Sequence, residues 1–350
     1  MKQNKPPKRI LIVKLSAIGD VLMATPVAAA VRKAYPDSYI AWVVERKSAD
    51  VVIGNPFIDE VIIWERGKVK GKLANILHSL KSFISLGKRM RAQKFDVALD
   101  CQGLMRSAIV CLFSGSKKMV GFTDADEGAA LFYNDKFAPQ TLDINAQQRN
   151  LDLLQKIDIN SSDRAMFMPL EEDDEKFAQR FFEESNISEK KVIALLPATT
   201  WVNKHWTKSG WSELIDHIYL KYGAVSLIFG SPADLPLVKE IASNTKYHPI
   251  IAAGKTNLKQ AGALLKRCDA VVGVDTGLLH MAIALNKPTV GIFGATLWQH
   301  LMKNDNCRWV YKNFDCRPCS KNYKCKGDCM QAINVEDIDA SISELMHEIL

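Results

Sequence analysis

Side chains that could bind a diphosphate are grouped in PATTWVNKHW, residues 197–206. The hydroxyls of Thr199 and Thr200 and the ammonium group of Lys204 can all donate hydrogen bonds to phosphate oxygens. Read alone, the segment fits an ordinary polar loop equally well. Its chemistry therefore depends on which other groups the fold brings to it.

A second set of polar residues opens DTGLLHMA, residues 275–282, directly after the apolar run AVVGV. Asp275, Thr276 and Gly277 are placed to form a strand-to-helix turn, whose free backbone N–H groups can face a phosphate. His280 follows in the first turn of the predicted helix. The alternative is that Asp275 or Thr276 caps the helix and that His280 packs in the core.

A third polar group is Asp234 in GSPAD, where a carboxylate after a strand can accept hydrogen bonds from ribose hydroxyls. Three strand ends with complementary polar groups predict a nucleotide site in the second half of the chain. Neither half contains GxGxxG or GxxxxGK[ST]. This absence argues against a dinucleotide oxidoreductase and against a P-loop ATPase.

The polar strand end of the first half is KLSAIGDVLMATP, residues 14–26. It contains one glycine and one acid, Gly19 and Asp20, where a phosphate-binding loop would have several glycines and no carboxylate. Asp20 could simply cap a helix that begins at Val21. Pro26 must kink or interrupt the helical pattern that follows.

Short apolar runs alternate with helical patterns, which is typical of parallel strands joined by helical crossovers. An acidic helical segment, LEEDDEKFAQRFFEES, separates two sets of such runs. Because ligands bind beyond the carboxyl ends of parallel strands, the polar residues above are expected at one edge of each sheet. The strand-like runs are RILIVKLS, YIAWVVE, EVIIWE and FDVALDCQG, then KVIALLPAT, AVSLIFGS, HPIIAAGK, DAVVGVDTG and TVGIFGAT.

The length of 350 residues exceeds what one core comfortably supports, so two domains are predicted. We expect a first doubly wound domain at 1–168, a second with a cysteine-rich tail at 169–335, and a C-terminal helix at 336–350. No apolar stretch reaches the roughly 18 residues of a membrane span. Lys14 and Asp20 interrupt the N-terminal apolar run too early for a signal peptide. A cytosolic protein, or one peripheral to a membrane, is therefore expected.

Positive charge is concentrated in the first part of the chain. The net charge is +7, and residues 1–100 contain 18 Lys and Arg against 9 Asp and Glu. Nucleic acid, a phospholipid surface or a phosphorylated substrate would each satisfy this surplus. A solvated basic face fits it as well.

These segments together resemble the ADP-heptose:lipopolysaccharide heptosyltransferases, glycosyltransferase family 9. KLSAIGDVLMATP, DCQGLMRSA, PATTWVNKHW and VGVDTGLLHMAIALNKPTVGIFGAT follow the family's order over roughly residues 8–300. PATTWVNKHW and LFYNDKF look most like the heptosyltransferase I branch, which adds the first heptose to the Kdo of the inner core. The resemblance implies an α/β fold of the GT-B type, with two Rossmann-like doubly wound domains facing a central cleft.

The resemblance also assigns roles to individual residues. Asp20 matches the family's catalytic base, and Gly19 would permit the tight turn beside it on the acceptor side. The basic surplus of the first part of the chain supplies further acceptor-side candidates, for which a solvated loop is an equally good explanation: Arg66, Lys68, Lys70, Lys72 and Arg106. The donor-binding positions are Thr199, Thr200, Lys204, Asp234 (commonly a longer Glu in the family), Asp275, Thr276, Gly277 and His280.

The implied function is inverting transfer of L-glycero-D-manno-heptose from ADP-heptose to the Kdo of the lipopolysaccharide inner core. No metal or other cofactor is expected, because cationic, hydroxyl and backbone N–H groups can stabilise the departing diphosphate. The implied partners are ADP-heptose, a Kdo–lipid A type acceptor and, peripherally, the cytoplasmic face of the inner membrane, but no nucleic acid. The alternatives are a related heptosyltransferase acting on another core or surface glycan position, or a non-catalytic nucleotide-binding module.

Eight cysteines are present, of which Cys101, Cys111 and Cys268 have the apolar surroundings of buried thiols. Close pairs such as CRPC suggest zinc more than disulfides in a cytosolic chain. However, the spacing in the tail is irregular and the cluster contains no histidine, which argues against a bound metal. The resemblance implies that this segment shapes a loop rather than performing catalysis, because similar cysteine-rich tails occur in the family. The clustered cysteines are Cys307, Cys316, Cys319, Cys325 and Cys329.

Overall fold

The computed structural model describes residues 6–65, 72–139, 145–296, 305–316, 319 and 327–347. The chain divides into two compact units, Met1–Pro169 and Leu170–Leu350. Within the described residues, each unit contains one six-stranded sheet whose neighbouring strands are parallel.

The first unit alternates strands and helices. Its strands are β1 (Arg9–Val13), β2 (Tyr39–Glu45), β3 (Glu60–Trp64), β4 (Val97–Asp100), β5 (Lys118–Phe122) and β6 (Asp135–Phe137). Its helices are α1 (Ile18–Leu22), α2 (Thr25–Ala34), α3 (Lys72–Ala92), α4 (Met105–Ser114) and α5 (Ala146–Asp152). The strands pair in the order β3-β2-β1-β4-β5-β6.

The second unit repeats this plan after an initial helix, α6 (Glu172–Glu184). Its strands are β7 (Val192–Leu196), β8 (Val225–Ile228), β9 (Ile250–Ile251), β10 (Ala270–Val274), β11 (Thr289–Phe293) and β12 (Cys307–Tyr311). Its other helices are α7 (Lys208–Tyr222), α8 (Leu235–Ser243), α9 (Leu258–Arg267), α10 (Gly277–Ala284), α11 (Asp328–Gln331) and α12 (Val335–His347).

The two sheets have the same topology. The second pairs as β12-β11-β10-β7-β8-β9, so in both units the first strand lies between the second and the fourth. Every residue of β7, β10 and β11 is buried, as expected for parallel strands covered on both faces. The C-terminal helix α12 contributes Ile338, Ile342 and Leu345 to the core of the second unit.

Local signals in the sequence explain where several helices begin and end. The Thr207 hydroxyl accepts the Gly210 N–H at 3.0 Å and caps α7, which ends at Gly223 in the left-handed region with φ of 61°. Pro26 lies in the first turn of α2, where it needs no intrahelical partner. The predicted interruption at this proline is confirmed, since α1 ends at Leu22.

The structure corrects the predictions made for the turn after β1. Helix α1 begins at Ile18, so Asp20 is its third residue and does not cap a helix that begins at Val21. Gly19 is the second residue of α1 and is absent from the glycines with positive φ. The tight turn expected at Gly19 is therefore wrong, because the chain turns into the helix before reaching it.

The sequence analysis did not predict the strands β5, β6 and β12. Of these, β12 corrects the prediction that the cysteine-rich tail forms a loop. Cys307 begins β12, which pairs with β11 at the edge of the second sheet. The segment that starts at Cys307 therefore opens as a strand rather than a loop. No helix in the described ranges is long and apolar enough to cross a membrane.

Candidate functional site

Polar residues converge at equivalent positions of the two sheets. In each unit the first and fourth strands are neighbours, β1 with β4 and β7 with β10. We call residues 14–20 and 100–106 the β1–β4 corner, and residues 197–206 and 275–280 the β7–β10 corner. Each corner lies at the carboxyl ends of its strands, where ligands of open parallel sheets bind.

Asp275 is the centre of the β7–β10 corner. Its Oδ2 lies 2.6 Å from Lys204 Nζ and accepts a 2.7 Å hydrogen bond from the Thr296 hydroxyl. Its Oδ1 lies 3.5 Å from His280 Nε2. The Thr199 hydroxyl donates to the backbone carbonyl of Asp275 at 2.9 Å. One residue thus holds groups from three strand ends in a fixed arrangement.

The charge of Asp275 follows from these partners. Burial favours the neutral acid, but the hydrogen bond and charge of His280, together with those of Lys204, hold the pKa of Asp275 well below its usual range. Because the folded-state pKa is depressed, the ionised carboxylate stabilises the fold above the unfolded-state pKa. That contribution disappears only as the pH falls through the folded-state value.

The start of α10 offers further hydrogen-bond donors. Thr276 occupies the N-cap position with extended backbone, but its side chain makes no capping hydrogen bond. The first N–H groups of a helix have no intrahelical acceptor, so those of α10 remain available to an anion. His280 is 7% exposed, and its Nδ1 has no hydrogen-bond partner among the described residues. His280 therefore packs in the interior and also contacts Asp275.

The loop after β7 is braced by its own residues. His205 Nε2 lies 2.9 Å from the Thr199 carbonyl oxygen, and the Lys204 ammonium lies 4.5 Å from the centre of the Trp201 ring. Thr200 is exposed at the edge of this loop. The aromatic face and Asp275 together restrict Lys204 to one side of the corner.

Asp234 lies apart from this group. Its Oδ2 accepts hydrogen bonds from the Ser231 N–H at 2.8 Å and the Ser231 hydroxyl at 2.7 Å. Among the residues the structure describes, no hydrogen bond or ion pair joins Asp234 to Asp275, Lys204 or His280. Its local role is to brace the turn that leads into α8.

The β1–β4 corner is held together by the Gln102 amide and the Arg106 guanidinium. Gln102 Oε1 accepts the backbone N–H groups of Leu15 and Ser16, both at 3.2 Å. Arg106 donates from Nη2 to the Ser16 hydroxyl at 2.8 Å, and its Nη1 lies 3.4 Å from Glu45 Oε1. The guanidinium predicted to face an acceptor is thus anchored to the loop after β1.

Asp20 projects from the first turn of α1 in this corner. Its Oδ2 accepts the Ala17 N–H at 3.1 Å, so one carboxylate oxygen stabilises the start of the helix. The residue is partly exposed. A carboxylate that is fixed by its backbone neighbour and still reached by solvent can accept a proton from an incoming hydroxyl.

Asp100 is a buried acid that the sequence analysis missed. It accepts hydrogen bonds from the N–H groups of Gln102 at 2.9 Å and Gly103 at 3.0 Å, and from the Tyr133 hydroxyl at 2.8 Å. Burial raises the pKa of Asp100, and these donors only partly offset the effect. Gly103 has a φ of 71°, which permits the tight turn around the carboxylate. The position of Asp100 at the end of an apolar run, directly before CQG, was the sequence signal that could have identified it.

The sequence analysis also did not name Thr296 as a site residue, although its position after an apolar strand was an available signal. It follows β11, the strand beside β10, so its hydroxyl lies at the same edge of the sheet as Asp275. Of the predicted acceptor-side residues, Arg66 and Lys68 lie outside the described residues.

The cysteine-rich segment contacts the chain next to Thr296. The Cys319 N–H donates to the Ala295 carbonyl at 2.9 Å, and a Cβ on Gly294 would lie 2.5 Å from Met330 Sδ. Within the described residues, no three His, Cys, Asp or Glu side chains are grouped to hold a metal ion, and Cys325 lies outside them.

The other cysteines are ordinary thiols. Cys101, Cys111 and Cys268 are buried, as predicted. Burial raises the pKa of Cys101 to about 12, so its thiol stays neutral at physiological pH.

The fold is similar to that of a solved structure, the Escherichia coli heptosyltransferase WaaC with ADP. The TM-score is 0.70 at 24% sequence identity, over 97% of this chain and 98% of that one. This likeness confirms the predicted GT-B fold class, with two Rossmann-like domains.

Two curated relatives are similar over most of their length. The chain is 28% identical to the lipopolysaccharide core heptosyltransferase OpsX of Haemophilus influenzae, over 83% of this chain and 80% of that protein. It is 29% identical to lipopolysaccharide heptosyltransferase 1 of Escherichia coli K12, over 82% of this chain and 88% of that protein. The sequence profile of glycosyltransferase family 9 (heptosyltransferase) matches residues 83–329. Since this match spans more than half of the chain, the protein belongs to glycosyltransferase family 9 and is a glycosyltransferase.

Proposed function

We propose that the protein transfers L-glycero-D-manno-heptose from ADP-heptose to the Kdo of a lipid A-linked inner-core acceptor. The observation that carries the donor part is the group around Asp275, which holds Lys204 and Thr199 beside the start of α10. A cation, a hydroxyl and free N–H groups at one strand end suit a diphosphate.

The donor diphosphate would bind at the β7–β10 corner. Lys204 uses one N–H on Asp275 Oδ2 and retains two further N–H donors for phosphate oxygens. The N–H groups of Thr276 and Gly277 and the exposed hydroxyl of Thr200 would add neutral donors. As the bond to the anomeric carbon breaks, charge grows on the leaving diphosphate, and these prearranged donors stabilise it.

His280 and Asp234 would complete the donor site. The buried Nδ1 of His280 lacks a partner in the described part of the chain, so a heptose hydroxyl or phosphate oxygen at this position would satisfy it. Asp234 would contact the ribose with the carboxylate oxygen that does not bind Ser231.

Asp20 would act as the general base toward the acceptor. One carboxylate oxygen accepts the Ala17 N–H, which orients the group, and the other can take the proton from the acceptor hydroxyl. Attack by that hydroxyl on the face opposite the leaving ADP inverts the anomeric centre. Arg106, Gly19 and the basic residues Arg66 and Lys68 would form the surroundings of an anionic acceptor.

The names of the relatives support a heptose as the transferred sugar and a lipopolysaccharide acceptor. Both curated relatives are lipopolysaccharide heptosyltransferases, one described for the core and one as heptosyltransferase 1. The WaaC structure contains ADP, the nucleotide part of the proposed donor. A lipid-linked acceptor would also bring the enzyme to the cytoplasmic face of the inner membrane as a peripheral protein.

Mass spectrometry of a Kdo–lipid A acceptor tests the proposal. After incubation with ADP-heptose, we expect one added heptose per acceptor and one ADP released per transfer. The matched control is Asp37→Asn, which removes an exposed carboxylate of the same unit and should leave transfer intact. ADP binding without transfer to any core acceptor would point to a nucleotide-binding module, and transfer to a core that already contains heptose would point to a later step.

A further inference from the structure

A cavity of about 390 Å³ in the second unit is separate from the corner that contains Asp275. It lies at the opposite end of the sheet, where Val225 begins β8 and Ile250 begins β9. We call it the tyrosine–lysine cavity. The residues that define it are Tyr219, Tyr247, Lys190, Lys246, His248 and Ser226.

Two stacked tyrosines form one wall of the cavity. The rings of Tyr219 and Tyr247 lie 4.1 Å apart between centroids, with 16° between their planes. Asp216 fixes the segment that contains Tyr247, since its Oδ1 accepts the N–H groups of Lys246 and Tyr247, both at 2.9 Å. Tyr219 is 46% exposed. A held aromatic surface of this kind can pack against the flat face of a sugar or a base.

The cavity is lined by two lysines and a histidine and by no acid. Lys190, Lys246 and His248 line it, and no Asp or Glu is among its lining residues. None of the three has an ion pair with a carboxylate in the described part of the chain. Uncompensated positive charge around a concave surface attracts an anion.

Ser226 supplies an unsatisfied polar group in the same cavity. The residue is 3% exposed, and its hydroxyl has no hydrogen-bond partner among the described residues. Side chains alternate along a strand, so Ser226 shares a sheet face with Ile228, which packs in the core with Ile215 and Ile218 of α7. A buried hydroxyl without a partner costs free energy that a ligand oxygen could offset.

We propose that the tyrosine–lysine cavity binds a phosphorylated ring compound, either a sugar phosphate or a nucleoside monophosphate. The lysines and His248 would bind the phosphate, the tyrosines would pack against the ring, and the Ser226 hydroxyl would bond a ligand oxygen. The volume lies within the range of small-molecule sites. This site is independent of the donor and acceptor positions in the proposed function.

Isothermal titration calorimetry at low ionic strength tests this site, with glucose 6-phosphate, AMP, inorganic phosphate and glucose as probes. One of the two phosphorylated ring compounds should bind at least about tenfold more tightly than inorganic phosphate or glucose. The compound that binds more tightly shows whether the cavity prefers a sugar phosphate or a nucleoside monophosphate. Lys190→Gln/Lys246→Gln should weaken that binding about tenfold or more, and Ser226→Ala should weaken it less.

Two further variants locate the binding. Lys33→Gln/Lys239→Gln removes the same charge from exposed positions elsewhere and should leave the affinity unchanged. Lys204→Gln should also leave it unchanged, because Lys204 lies at the other end of the sheet. The proposal is overturned if no phosphorylated ring compound binds, if inorganic phosphate binds as tightly, or if Lys204→Gln abolishes binding while the cavity variants retain it. A failed heptose-transfer assay would leave these results unaffected.

Discussion

Asp100 and Asp275 both lie at the carboxyl end of the fourth strand of their unit, and their pKa values shift in opposite directions. Asp100 is the last residue of β4 and Asp275 directly follows β10, the fourth strand of each unit. Lys204 and His280 lower the pKa of Asp275 against the effect of burial, whereas burial dominates at Asp100, whose partners are neutral donors. The comparison teaches that burial alone does not decide in which direction the pKa of a strand-end acid shifts, because cationic partners can outweigh it.

The two corners also differ in the side chain that links the loops after their first and fourth strands. In the β7–β10 corner, Lys204 reaches from the loop after β7 to the acid after β10. In the β1–β4 corner, Gln102 reaches from the loop after β4 to the backbone of Leu15 and Ser16. In the β7–β10 corner the cation is therefore paired with the acid after the fourth strand, whereas in the β1–β4 corner Gln102 satisfies the backbone, Arg106 bonds Ser16, and Asp20 stays partly exposed.

The largest effect should come from Asp20→Asn. Asparagine can still accept the Ala17 N–H, so the helix start is kept while the base is lost. We expect kcat to fall about 1,000-fold, within the usual range for loss of a general base. Donor affinity, measured as the Kd for ADP, should be unchanged. A parallel loss of ADP affinity or of Tm would mean that the β1–β4 corner is structural, and Asp37→Asn serves as the control.

Lys204→Gln tests the cation of the β7–β10 corner. Loss of one charge-assisted hydrogen bond to phosphate should raise the Kd for ADP about 10- to 100-fold. The Tm should fall as well, because Asp275 then stays buried with fewer partners. Lys208→Gln, which removes an exposed cation four residues on, should change neither quantity. An unchanged Kd for ADP would remove Lys204 from the donor site.

Asp100→Asn tests the buried acid of the first unit. The folded-state pKa of Asp100 is raised above its ordinary 3.8, so the folded protein binds more protons than the unfolded chain between these two values. The free energy of unfolding of the wild type should therefore fall relative to the variant as pH rises through this window, by up to about 1.4 kcal/mol per pH unit. Urea denaturation from pH 4 upward measures the difference. A difference that does not change with pH would contradict a raised pKa.

The smallest effect should come from Thr296→Val. This change removes the 2.7 Å hydrogen bond to Asp275 Oδ2 while keeping the shape of the side chain. The loss of about 1 kcal/mol should weaken ADP binding about fivefold. Thr256→Val, at a partly buried position elsewhere in the unit, is the matched control. Equal effects of the two variants would show that Thr296 does not position Asp275.

Prediction from sequence succeeded where the signal was local. The apolar runs that became β7, β10 and β11 are buried along their whole length, and Pro26 stands at the start of a helix. Prediction failed where a short segment depends on its neighbours. The three residues of β6 and the edge strand β12 have little pattern of their own and are strands because they pair with β5 and β11.

For the polar residues of the site, too, the sequence predicts position along the chain but not the contacts between distant segments. The sequence by itself determined that Thr199, Lys204 and Asp275 stand after apolar strands, since periodicity and turn chemistry are properties of neighbouring residues. Only the tertiary structure decided that Lys204 and Thr296 share the carboxylate of Asp275. The physical reason is that parallel strands distant in the chain end at one edge of the sheet, where hydrogen bonds form between residues that no local pattern connects.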